Sequence, residues 1–262
     1  MAGSLRLERF RAAPGQASYP EVSLEAPEGS VIGILGRSGI GKTTLLRAIL
    51  GTVPSEGKAF IGDEDLAALP LKERVMRFGV VPQDSSVIAP LTAEEAVLAS
   101  RAGKYWIFGT PSAKDRAEML ETLREFGIEK LRARECDSLS GGEREQVLMA
   151  AASYRRAGVF LLDEPESGLD PALRARSIRF AAEAAGKGGI VLIVTHSPDS
   201  ILRLSRYVTA KALLLSRESA GVMEAEALSA EALGKLYGVR MTESGEGSLR
   251  HFEAALPDLR GK

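Results

Sequence analysis

The stretch GRSGIGKTT, residues 36–44, follows the apolar run VIGIL and precedes LLRAILG. Glycines at 36, 39 and 41 make a continued helix or strand expensive, at roughly 1 kcal/mol each in a helix. The stretch therefore reads as a turn. VIGIL before it has the short, continuous apolarity of a strand buried on both faces. KTTLLRAIL after it reads as a helix that Gly51 closes. Strand, glycine-rich turn carrying G-x-x-x-x-G-K-[ST], then helix is the context in which that pattern cradles phosphate. Glycines let successive backbone N–H groups turn inward, and the helix adds the positive end of its dipole. Lys42 is predicted to reach the β- and γ-phosphates, and Thr43 to offer its hydroxyl to Mg²⁺. The expected phosphate-binding set is Gly36, Arg37, Ser38, Gly39, Ile40, Gly41, Lys42, Thr43 and Thr44.

The rest of the chain bounds what surrounds this turn. At 262 residues it is large for one domain, so one domain with an inserted lobe, or two lobes, is expected. A formal net charge of −1 argues against a domain-wide basic footprint, and no nucleic-acid partner is expected. The single cysteine, Cys136, excludes an internal disulfide and a cysteine-rich zinc site. MAGSLRLERF lacks the continuous apolar core of a signal peptide. No run approaches the roughly 20 apolar residues that span a bilayer. Any work at a membrane would need something else to hold the chain there.

Patterning then orders the elements. SLRLERF and VSLEA alternate apolar and polar residues and read as strands. Short strands are expected near Ala59–Ile61 and in GVVPQ. From about 92 to 156 the pattern is helical, with Ser112 as an N-cap and Gly127 as a stop. Strand patterning returns in VFLLD, IVLIVTH and ALLLS, with helices between. Such alternation implies a mostly parallel sheet flanked by helices, an α/β fold with the helical block as an insert. SAEALGKLYG then predicts a short helix, and VRMTESGEGSLRHFEA a hairpin around Gly245–Gly247.

VFLLDEP ends an apolar strand in two acids, Asp163 and Glu164. Side chains alternate along a strand, so the two need not share a task. Beside a phosphate loop, an Asp in this position holds Mg²⁺; Glu164 is then free to polarise an attacking water. DSLSGGEREQV, residues 137–147, puts two glycines at the start of a helix. Ser140 and Glu143 have the S-x-x-E spacing of a capping box, so the helix still starts cleanly.

Taken together, GRSGIGKTT, Gln83 in VVPQD, LSGGE, VFLLDEP, SGLD and VTHSP resemble the ATP-binding subunits of ABC transporters, in that family's order, from about residue 5 to 215. The resemblance implies a P-loop NTPase fold with a small antiparallel part on the N-terminal side. It implies a RecA-like core over 1–85 and 157–215, a helical signature lobe over 86–156, and a C-terminal extension over 216–262. It implies ATP and Mg²⁺ as cofactors. Two subunits, identical or similar, would meet head to tail. Each ATP would then lie between one P-loop and the Ser140, Gly141, Gly142 and Glu143 of the other chain, with Asp170 contacting across the interface. Gln83 would link Mg²⁺ and the water to the helical lobe, His196 would touch the γ-phosphate, and Glu164 would activate water. Thr43, Gln83 and Asp163 would hold the metal. The family has Gln where this chain has Glu143, which caps equally well but adds a charge. Its adenine-stacking aromatic stays unassigned between Tyr19 and Phe10.

Within the family, PLKERVMRFGVVPQ, LTAEEAVLASR, LSGGEREQV and LGKLYGVRM resemble importers of metal chelates such as iron complexes, haem or cobalamin. The 47 residues after 215 are too few for the regulatory lobe of sugar importers. The implied partners are integral membrane permease subunits at the cytoplasmic face of the cell membrane, where this protein would sit peripherally. The alternative is a soluble ABC ATPase of an assembly or repair system. About 55 residues between Gln83 and Ser138, with one cassette, leave no room for the coiled coils of repair types. A nucleotide kinase is a poorer reading, because a kinase has no use for LSGG.

Overall fold

The computed structural model describes residues 3–15, 19–88, 90–101 and 111–255. Its centre is a six-stranded sheet. Five strands run parallel: β6 (Phe78–Val81), β7 (Val159–Asp163), β8 (Ile190–Val194), β3 (Ser30–Leu35) and β9 (Thr209–Leu215). Burial on both faces explains why these strands are continuous apolar runs rather than alternating ones. Along β3 the pleat still sorts side chains. Val31 and Leu35 join one core, and Ile32 and Ile34 the other. The first core is covered by α6 (Pro171–Gly186) and α7 (Pro198–Leu204), the second by α1 (Lys42–Leu50) and an N-terminal sheet.

That N-terminal sheet is antiparallel, in the order β2 (Val22–Ala26), β1 (Leu5–Ala12), β4 (Ser55–Ile61), β5 (Glu64–Asp65). Simple alternation would set Phe10 on the face opposite Leu5 and Leu7. A register shift between Leu7 and Phe10, with Arg9 at φ 46°, re-phases the strand and turns Phe10 inward.

Between β6 and β7 the chain forms α3 (Ala93–Ala99), α4 (Ala113–Glu125) and α5 (Gly141–Tyr154). The first two start at capping boxes, Thr92 with Glu95 and Ser112 with Asp115. The three helices share a third core that includes Val97, Met119, Leu123, Val147 and Tyr154. Helix α5 is apolar on two sides. Leu148, Met149 and Ala152 face the sheet core, while Val147, Ala150 and Ala151 face the helical one. It therefore joins the lobe to the sheet.

Patterning does not predict β10 (Ala220–Glu224), which pairs antiparallel with β9 at the sheet edge. Its exposed, weakly alternating side chains carry little signal, and its place comes from the pairing itself. A short helix α2 (Leu71–Met76) precedes β6. After β10 come α8 (Ala230–Tyr237) and the hairpin β11 (Met241–Ser244) with β12 (His251–Ala254).

Candidate active site

Residues 36–41 connect the fully buried β3 to α1. Gly41 holds φ 104°, a conformation essentially reserved for glycine, and no side chain caps the helix it precedes. The first amides of α1 are thus left for a ligand. Arg37, Ser38 and Gly39 are exposed at the tip of the loop, and Ile40 donates its N–H back to the Arg37 carbonyl at 3.3 Å. Lys42 is buried, and its Nζ donates to the Gly36 carbonyl at 3.0 Å and the Arg37 carbonyl at 3.3 Å. Burial pulls its pKa below the ordinary lysine value, against the opposing pull of Glu164 and Asp163.

Strand β7 delivers the acids. Asp163 is buried at the strand end and accepts a hydrogen bond from Thr43 Oγ1 at 3.0 Å. Burial raises its pKa, with the Thr43 bond opposing. The chain then turns sharply, and Glu164 sits at φ 51°, costly for a side-chain-bearing residue, by about 1–3 kcal/mol. The Glu164 N–H donates to the Val194 carbonyl at 3.0 Å, tying the turn to β8. This conformation aims the carboxylate between two partners. Gln83 Nε2 donates to one oxygen at 3.0 Å, and His196 Nε2 lies 2.9 Å from the other. Lys42, Thr43, Gln83, Asp163, Glu164 and His196 thus meet at the carboxyl ends of adjacent parallel strands, where open α/β sheets bind ligands.

A residue that sequence reasoning passes over stabilises this arrangement. Glu166 is buried and bridges two elements: Ser200 Oγ donates to it at 2.7 Å and Thr195 Oγ1 at 3.5 Å. It ties the turn that carries Glu164 to the loop that carries His196. Its only signal in sequence is an acid two residues beyond the acidic pair, facing Thr and Ser near a strand-end His.

Ser140 caps α5: its Oγ accepts from the Glu143 N–H at 3.3 Å, while its N–H donates to the Glu143 carboxylate at 2.9 Å. These bonds hold the Glu143 carboxyl below its ordinary pKa. The two glycines differ. A Cβ on Gly141 would meet open space, whereas one on Gly142 would stand 2.2 Å from Leu173 Cδ1. Gly142 therefore serves close packing between the starts of α5 and α6, and Gly141 presents bare backbone. Asp170 caps α6, accepting from the N–H groups of Ala172 and Leu173 at 2.8 and 2.9 Å. No hydrogen bond or ion pair among the described residues joins Ser140–Glu143 or Asp170 to the cluster around Lys42. Of the two aromatic candidates, Phe10 is buried in the core, while the Tyr19 ring lies 2.3 Å from where a Gly41 Cβ would stand.

The family model described as ABC transporter matches residues 19–167, more than half of the chain. The chain belongs to the ABC transporter family. This ABC protein is 33% identical over 224 residues, 85% of the chain and 87% of the relative, to the manganese transport system ATP-binding protein MntB of Bacillus subtilis (strain 168). It is 31% identical over 238 residues, 90% and 82% of the two chains, to the hemin import ATP-binding protein HmuV of Streptomyces coelicolor. A solved metal-chelate-type ABC transporter in an inward-facing conformation superposes with a TM-score of 0.81 at 25% identity, covering 98% of each chain. The ABC ATPase fold, with its mixed sheet, flanking helices and small antiparallel sheet, is thereby established. The chain is an ATP-binding subunit and an ATPase. Among the described residues no helix is long and apolar enough to cross a membrane.

Proposed function

We propose that this ABC ATPase hydrolyses ATP between two copies of the chain, or of it and a similar subunit, to drive import through membrane permease subunits. The observation that carries the catalytic part is Glu164, held between Gln83 and His196 beside Lys42, Thr43 and Asp163. The P-loop amides and Lys42 bind the β- and γ-phosphates. Thr43 and Asp163 offer a hard, all-oxygen donor set that suits Mg²⁺, with Gln83 alongside. Among the described residues no cluster of three or more His, Cys, Asp or Glu could hold a metal by itself. A magnesium ion here would take its remaining ligands from phosphate and water and would neutralise phosphate charge.

Glu164 polarises the attacking water, His196 steadies it against the γ-phosphate, and Gln83 relays nucleotide state to the helical lobe. Tyr19, beside Gly41, is the adenine-stacking residue. The second chain closes the site with Ser140, the bare backbone at Gly141, its neighbour Gly142, Glu143 and Asp170. The relatives that transport manganese or import hemin, and the metal-chelate-type structural neighbour, favour a metal ion or metal chelate such as haem, cobalamin or an iron complex as cargo. The protein then works peripherally, at the cytoplasmic face, on permease subunits.

The test is ATP hydrolysis by two variants. Glu164→Gln is expected to bind Mg-ATP normally and to lose turnover by about 100-fold or more, as removal of a catalytic base does. Asp163→Asn is expected to weaken Mg²⁺-dependent binding instead. Near-normal steady-state hydrolysis by Glu164→Gln would remove Glu164 from this role.

A further inference from the structure

The C-terminal extension reaches the nucleotide loops at two places. Gly36, the first residue of the phosphate loop, is pressed against the chain just before the extension: a Cβ there would stand 2.4 Å from the Leu215 carbonyl oxygen. Tyr237, the last residue of α8, also lies beside the Gly36 backbone. The Tyr237 hydroxyl is completely buried and has no partner in good hydrogen-bond geometry. The Gly36 backbone amide nevertheless lies near enough to favour its charged form, against the burial that pushes Tyr237 up to about 12. The next residues also meet. Gly238 ends α8 at φ 68°, and the Arg37 guanidinium lies 3.6 Å from where its Cβ would stand. Leu233 and Leu236 bury the inner face of α8 in the sheet core, so the tyrosine is fixed in position.

The second contact is to the first turn of α7, which directly follows the His196 loop. The Phe252 N–H donates to Asp199 Oδ1 at 3.2 Å, and His251 Nδ1 pairs with the other oxygen of the same carboxylate. Asp199 stands three residues beyond His196, in the first turn of α7. Phe252 is buried in the sheet core beside it.

We propose that the C-terminal extension braces the phosphate loop and the His196 loop, and that Tyr237 is the positioning residue for the phosphate loop. The proposal rests on the reading of residues 36–44 as the triphosphate cradle. Closing the loop on a triphosphate shifts the Gly36 amide slightly, and the waiting hydroxyl then gains a full hydrogen bond. A buried polar group short of a partner is costly, and supplying one is favourable. Tyr237 therefore favours the loop position that a triphosphate selects over other positions of the loop.

Tyr237→Phe in the full chain tests this, with Tyr237→Ala beside it. The measurements are ATP affinity, the kinetic constants for hydrolysis, and melting temperature without nucleotide. Tyr237→Phe is expected to weaken ATP binding about 3- to 10-fold, the loss of one ordinary hydrogen bond. KM should rise in step and kcat stay within about twofold. Melting without nucleotide should be unchanged or higher, because the phenyl ring leaves no unpartnered oxygen. Tyr237→Ala, which also opens a cavity, is expected to lower melting, and Phe to restore it. Unchanged affinity in Tyr237→Phe, or a melting loss parallel to the affinity loss, overturns the proposal. Lys42→Ala in the same assay separates the two readings. If it too binds ATP normally, residues 36–44 are not the cradle and both fall; if it loses binding while Tyr237→Phe does not, only the brace falls.

Discussion

Glu145 lies one turn into α5, only 7% exposed, with Oε1 fully buried and without a partner. Burial alone acts on it, and pushes its pKa from 4.5 to about 7. The folded protein therefore holds a proton on Glu145 over a pH range where the unfolded chain has released it. Stability falls as pH rises wherever the native state binds more protons. The loss begins above the unfolded value and levels off above the folded one. Each pKa unit is worth about 1.4 kcal/mol, so the shift costs about 3 kcal/mol when complete, most of it between pH 5 and pH 8. Glu145→Gln keeps the shape and cannot ionise. At pH 5 it should melt close to the parent, since both side chains are then mostly neutral in the fold. At pH 8 it should be the more stable by about 2–3 kcal/mol, several degrees in melting temperature for a chain of this size. Thermal melts of both proteins at matched ionic strength over this range measure the difference. A gap that does not widen with pH would mean that Glu145 finds a charge partner, or water, in solution, and would refute the burial argument.

Two further predictions concern elements that hold the site in place. His251 lies between Asp199 and Glu253, and both carboxylates raise its pKa, the Asp199 bond most. Its contribution is fully present below the ordinary histidine value, near pH 6.5, and is lost as pH rises through the raised one. Hydrogen-exchange protection of β11 and β12, corrected for intrinsic rates, should fall across that window, and His251→Ala should abolish the pH dependence. Arg74 donates from Nε and Nη2 to the carbonyls of Ala48 and Ile49, at 2.7–3.0 Å, closing the end of the phosphate-loop helix. Arg74→Met takes the side-chain donor from the Ile49 carbonyl and leaves the Ala48 carbonyl only the Gly51 N–H, and should cost about 1–3 kcal/mol in urea unfolding; a change under about 0.5 kcal/mol would show that solvent satisfies them.

Local chemistry made part of this molecule readable. Glycine spacing between a buried strand and a helix marks residues 36–44, and S-x-x-E spacing marks the cap at Ser140. These are contacts within a few residues, so they leave a pattern in the chain. The bonds that organise the site are not of that kind. Gln83 meets Glu164 across 81 positions, and Ser200 meets Glu166 across 34. Nothing in either flanking sequence encodes the other partner; the sheet order brings them together. Gly142 shows the same limit differently. Its sequence setting suggests bare amides alone, and only the fold reveals that Leu173 occupies the space a side chain would need. Likewise, alternation could not separate Tyr19 from Phe10, because the bulge at Arg9 re-phases β1.

That distinction between the glycines decides how the two-chain ATP site should be tested. The measurement is light scattering of Glu164→Gln with Mg-ATP, with and without Gly141→Asp. Gly141 has open space around it, so an added side chain disturbs no packing within the chain. Its carboxylate would instead face the neighbour's triphosphate, where like charges repel strongly in a dry interface. Glu164→Gln with Mg-ATP is expected to be a dimer, and to become a monomer that still binds ATP once Gly141→Asp is added. A Glu164→Gln protein that stays monomeric with saturating Mg-ATP, or a Gly141→Asp monomer that no longer binds ATP while remaining folded, would contradict the two-chain site.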